Sequence, residues 1–166
     1  MQEITVTTFP TDKNQIVDLL SSNGILINEY AKTFLNHPDL YSVELPSEIT
    51  LVICSLSELG FSDGAIYHEI VSKIKDCGLF VCKPLAGVFL RLAYHNQVKS
   101  RDSSLSGSHR SPDGAIVVFS ELLENDDSFP KGLYLRNVDG NLWLRGYVCD
   151  DDYLWSGEDL FAFQKI

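Results

Sequence analysis

The dipeptide Asp139-Gly140 lies between two apolar runs, 133–138 and 142–148. It is the strongest constraint in this chain. An Asp-Gly pair between alternating segments specifies a two-residue hairpin turn, because both central positions need positive φ. Such a turn sets Val138 opposite Asn141, Arg136 opposite Trp143 and Tyr134 opposite Arg145. Side chains alternate across a strand. One face of the hairpin then carries Leu133, Leu135, Leu142, Leu144 and Val148, a core pattern. The other carries Tyr134, Arg136, Trp143, Arg145 and Tyr147. Aromatic residues interleaved with arginine suit stacking on bases or sugars, and they are also the types that dominate protein–protein hot spots. The same pairs can simply stabilise a sheet.

The remaining pattern is helical first and β-rich last. Thr11-Asp12 precedes Ile16, Val17, Leu19 and Leu20, a capped helix stopped by Ser22-Asn23-Gly24. Residues 25–35 predict a second helix, ended at His37-Pro38. Ser47 opens a third, with Ile49, Val52, Ile53, Leu56 and Leu59 apolar and Gly60 as its stop. Asp63 opens a fourth that ends at Gly78, and Pro84 opens a fifth carrying Leu85, Val88, Phe89 and Leu92. Residues 96–114 are serine-rich and locally basic, and predict a long mobile loop. Strand runs follow at 116–119, in the hairpin and at 160–163. The expected fold is α+β: about five helices over residues 1–95, the loop 96–114, then an antiparallel hairpin and sheet over 115–166, in one domain of 166 residues.

Composition excludes several functions. The net charge of −10 disfavours nonspecific binding to phosphate backbones and anionic lipid. The start, Met1 to Thr5, has no basic region and no apolar run, and no stretch is long enough to span a bilayer. The expectation is a cytoplasmic protein with no membrane association. Its four cysteines, Cys54, Cys77, Cys82 and Cys149, are then reduced, with Cys54 and Cys77 in apolar patterns. Cys77, Cys82 and the histidines His37, His68, His95 and His109 match no zinc spacing. Glu124-Asn125-Asp126-Asp127 and Asp150-Asp151-Asp152 lack the alternate ligands and central glycine of a calcium loop, and read as solvated turns. No phosphate loop, dinucleotide fingerprint or Gly-x-Ser-x-Gly elbow occurs. Ser106-Gly107-Ser108-His109 suggests a nucleophile only by composition. No metal, cofactor or catalytic residue is expected. The Pro84 helix offers only Lys83 and Arg91 for reading DNA, so it reads as a packing helix.

Gly64-Ala65-Ile66-Tyr67-His68-Glu69-Ile70, the stretch Leu90-Arg91-Leu92-Ala93-Tyr94, Leu142-Trp143-Leu144-Arg145-Gly146, and Trp155 with Asp159 to Phe163 are similar to segments of a group of small bacterial proteins without an assigned activity. Some members of such groups carry a helicase label. This chain has no phosphate loop and no room for two motor domains. The resemblance implies a bacterial or phage origin and supplies no active site. The sequence therefore reads as a non-enzymatic intracellular protein that binds a macromolecular partner, a protein, in a regulatory, immunity or anti-defence role. Tyr134, Arg136, Trp143, Arg145 and Tyr147 are its candidate binding residues. One alternative is a small hydrolase with carboxylates or His95 and His109 converging on a pocket. Another is an acidic nucleic-acid mimic or nucleic-acid-binding module.

Overall fold

Among the described residues an eight-stranded mixed sheet carries the fold, with strands from the start of the chain to its end. The computed structural model describes residues 1–101 and 111–166. In chain order the elements are β1 (Gln2–Thr7), α1 (Lys13–Ser22), β2 (Leu26–Ile27), α2 (Glu29–Leu35), β3 (Glu48–Ser55), α3 (Tyr67–Asp76), β4 (Leu79–Phe80), α4 (Ala86–Ala93), β5 (Ile116–Val118), β6 (Gly132–Val138), β7 (Asn141–Tyr147) and β8 (Leu160–Lys165). Short 3-10 turns lie at Pro38–Tyr41 and Ser57–Leu59. The strand order is β1-β3-β8-β5-β6-β7-β2, with β4 paired to the end of β8. Neighbours are antiparallel except β5 with β8 and β2 with β7.

This corrects the expected fold class. The protein is α+β, but its strands dominate and are spread through the chain; it is not an N-terminal helical part followed by a C-terminal hairpin. The third expected helix is the strand β3. Its apolar residues satisfy a helical spacing at 49, 52, 53, 56 and 59, but also a strand alternation. Ile49, Leu51 and Ile53 face one side of the sheet while Val52 and Cys54 face the other. A strand buried on both faces reads as a continuous apolar run, and β-branched residues decide it. The second expected helix is divided. Leu26 and Ile27 are extended, and Asn28 caps a shorter α2 by accepting from the Ala31 N–H at 2.9 Å. The alternating Ile4 and Val6 form β1, which the helical reading of the first half left unassigned.

The sheet separates two apolar layers. Ile16 and Leu20 of α1, Phe34 and Leu35 of α2, and Val88, Phe89 and Leu90 of α4 cover one face. Cross-strand partners on that face run Leu160, Ile116, Leu135, Leu144 and Ile27. The other face is aromatic. Phe119, Phe161, Phe163 and Trp155 pack there with Ile70 and Ile74 of α3. No helix among the described residues is long and apolar enough to cross a membrane.

The layers decide thiol reactivity. Burial pushes the Cys54 and Cys149 thiols up to about 11, and raises Cys82, which is fully enclosed, as well. Cys77, at the end of α3, is exposed. Native protein at mildly alkaline pH should therefore show one fast thiol towards an aromatic disulfide reagent, and four after unfolding. Two or more fast thiols would contradict this packing.

Candidate functional site

The hairpin pairs as the turn rule requires. Val138 lies opposite Asn141, Arg136 opposite Trp143 and Tyr134 opposite Arg145. Asp139 and Gly140 have φ of 54° and 88°, the mirror-image turn that matches strand twist. Leu133, Leu135 and Leu144 are core residues on one face, with Leu142 packed against them.

The aromatic–arginine face divides into two halves. On β6, Tyr134 is only 8% exposed and Arg136 fully buried. The Arg136 Nε donates to Ser100 Oγ at 3.1 Å. On β7, Trp143, Arg145 and Tyr147 are half-buried. The Arg145 guanidinium lies 4.9 Å from the Trp143 ring centre, and its Nε donates to the Tyr134 hydroxyl at 2.8 Å. Tyr147 turns inward, edge-on to Trp155 at 5.6 Å. β2 extends this face by one residue. Leu26 pairs with Trp143, so both side chains lie on one side, and Leu26 is 42% exposed. The outward strip is therefore Leu26, Trp143 and Arg145. Leu26 escaped the sequence reading because a helix was expected there.

Asn28 closes the sheet edge beside this strip. Its Oδ1 accepts from the Gly146 N–H at 2.8 Å, and its Nδ2 donates to the Gly146 carbonyl at 3.0 Å. One side-chain amide thus does for β7 what another strand would do.

A buried polar brace supports the hairpin from the α4 side. Arg91 is fully buried, and its guanidinium donates to Gln97 Oε1 at 2.6 Å, to the Tyr94 carbonyl and to the Trp143 carbonyl at 3.5 Å. Gln97 Nε2 donates in turn to the carbonyls of Gly114 and Leu135, at 2.9 and 3.0 Å. Asn137 Nδ2 donates to the Gln97 carbonyl at 2.8 Å. Burial lowers the Arg91 pKa to about 10, so the group stays cationic at neutral pH. A single arginine inside the apolar run 85–93 was the signal for a buried cation. The ends of the expected loop 96–114 are pinned. Arg101 Nη2 donates to Asp113 Oδ1 at 2.9 Å, and Ser100 Oγ donates to the Asp113 carbonyl at 2.6 Å. Residues 102–110 lie outside the described residues, and with them Ser106-Gly107-Ser108-His109.

No family model, curated protein or solved structure matches the chain. What the site does has to come from its own geometry.

A second polar cluster lies at the far end of β6. The two acidic runs meet there around a cavity with room for about one water, lined by Glu124, Asp126, Asp127, Lys131 and Asp151 among others. Asp126 and Asp150 make Asx turns, accepting from the N–H groups of Ser128 and Asp152 at 2.8 and 3.0 Å. Lys131, 8% exposed, donates to Asp151 Oδ1 at 2.6 Å and to the Cys149 carbonyl at 3.2 Å, with Tyr67 beneath it. Burial works against its ammonium, but the Asp151 bond and the neighbouring acidic groups outweigh it, and the pKa is raised. No group of three or more histidine, cysteine or acidic side chains among the described residues is placed to hold a metal ion. His95, one half of the hydrolase reading, is exposed and does not line the cavity.

The Lys131 bond holds the Asp151 carboxyl below its usual range. A depressed folded-state pKa stabilises above the unfolded pKa of about 4 and is lost as pH falls through the folded value. The difference in urea midpoint between native protein and Asp151→Asn should be constant above about pH 5 and shrink below about pH 3. A difference unchanged at the lowest pH would remove the ion pair from the account.

Proposed function

We propose that the protein works by binding a protein partner through the outer half of its hairpin face. The supporting observation is the Leu26–Trp143–Arg145 strip. It sets a half-buried indole, a stacked guanidinium and an exposed leucine side by side on strands whose opposite face is core. Tryptophan and arginine are the residue types that carry most binding energy when a partner excludes water from them. Their backbone is rigid, so little ordering entropy is spent on association. Tyr134 and Arg136 take the role of support: Tyr134 holds Arg145, and Arg136 holds the base of the neighbouring segment.

The test compares capture from host lysate by the native protein and by a Leu26→Ser, Trp143→Ser variant. Circular dichroism verifies that the variant folds. A protein recovered by the native form and lost with the variant supports the reading. Recovery unaffected by the variant removes the strip from the interface. Nucleic acid recovered in a salt-sensitive way would favour the nucleic-acid alternative instead.

A further inference from the structure

The two edges of the sheet are treated differently. The β2 edge is only two residues long, and just beyond it the Asn28 amide bonds the β7 backbone at Gly146. The β1 edge is six residues long, and no strand pairs with its far side among the described residues. It contains no lysine, no proline and no bulge, the usual guards of an open edge.

The outward groups of β1 follow from its register. Paired residues of β1 and β3 alternate between hydrogen-bonded and non-hydrogen-bonded pairs. Thr8 N–H donates to the Ser47 carbonyl at 2.8 Å, continuing that register, so Val6, Ile4 and Gln2 also bond towards β3. The N–H and C=O groups of Glu3, Thr5 and Thr7 therefore point away from the sheet. The side chains of these three residues are exposed, while Ile4 and Val6 lie on the apolar face.

We infer that β1 pairs antiparallel with β1 of a second copy of this chain, about a two-fold axis at Thr5. In that register Glu3 bonds opposite Thr7, Thr5 opposite Thr5, and Ile4 packs against Val6 of the second copy. Apolar side chains meet apolar ones, and hydroxyls and the carboxylate meet on the other side. Neither Glu3 faces its own copy, and each is already bound by Lys165 of its own chain. This register overlaps residues 3–7 and sets all three outward residues of β1 opposite outward residues, whereas a two-fold at Ile4 would do so only for Glu3 and Thr5. A two-fold, self-complementary contact is also the commonest form of assembly. The pairing joins two sheets into one, with the Trp143 strips at the opposite ends of the joined sheet from the new contact.

Sedimentation equilibrium of the full chain tests this. The expected mass is twice 18.6 kDa. Thr5→Pro removes an outward N–H that β3 does not use, so it should preserve the circular dichroism and weaken the dimer about tenfold or more. In a Cys77→Ser background, Thr5→Cys should oxidise readily to a covalent dimer, because the paired Cα atoms would stand about 5.5 Å apart. Thr7→Cys, which faces Glu3, should not. A native protein of single-chain mass at every concentration would overturn the inference. So would a folded Thr5→Pro variant that dimerises normally. If Thr5→Pro does not fold, the cysteine pair decides: equal cross-linking at both positions, or at neither, overturns it.

Discussion

Gly146→Ala is expected to cost on the order of 3 kcal/mol or more, enough to unfold much of a marginally stable domain. A Cβ at Gly146 would sit 2.6 Å from the Tyr30 carbonyl carbon and 2.7 Å from the Ala31 nitrogen. Both are backbone atoms of the first turn of α2, so neither can swing aside as a side chain could. The close approach is the one that lets Asn28 bond both Gly146 backbone groups. Relief would require α2 to move off β7, breaking those bonds and opening the layer that holds Ala31, Phe34 and Leu35. Urea unfolding measures the cost. A loss below about 1 kcal/mol would mean that α2 is not seated as described.

Arg91→Ala is expected to cost about 3–5 kcal/mol. The substitution removes a guanidinium that is fully buried, leaves a cavity in α4, and strands the oxygen of Gln97 without its donor. Gln97 ties Gly114, Leu135 and Asn137 together, so the damage reaches β5 and β6 as well as the helix. Arg91→Met separates the two contributions. It keeps most of the volume and leaves the Gln97 oxygen and the Tyr94 carbonyl without their Arg91 donor, for a cost of about 1–3 kcal/mol. Equal costs for the two variants would assign the effect to hydrogen bonding alone. A cost below about 1 kcal/mol for Arg91→Ala would contradict the brace.

What the sequence revealed follows the range of the interactions involved. The hairpin was legible residue by residue, because the conformational demand of Asp139-Gly140 is local and fixes every pair up to Gly132–Tyr147. The first helix was legible for the same reason, through the Asp12 cap. β3 was not, because its residues satisfy both periods and only its two buried faces choose between them. β1 pairs with β3, and the sheet that receives them is closed by β8 at the other end of the chain. No local signal carries that. At the candidate site, alternation placed the five residues on one face but could not say how much of it another segment covers. Arg136 is under Ser100, Tyr134 under the aromatic layer, and only the β7 half reaches the surface.

The Leu26–Trp143–Arg145 strip is the proposed binding surface. Hydroxyl-radical footprinting of the protein alone and with its recovered partner tests it most directly. Oxidation of Trp143 and Leu26 should fall on binding, while Leu154 and Phe80, exposed elsewhere on the surface, should be oxidised as before. Protection of Leu154 or Phe80 with Trp143 and Leu26 unchanged would place the interface on another face and contradict it.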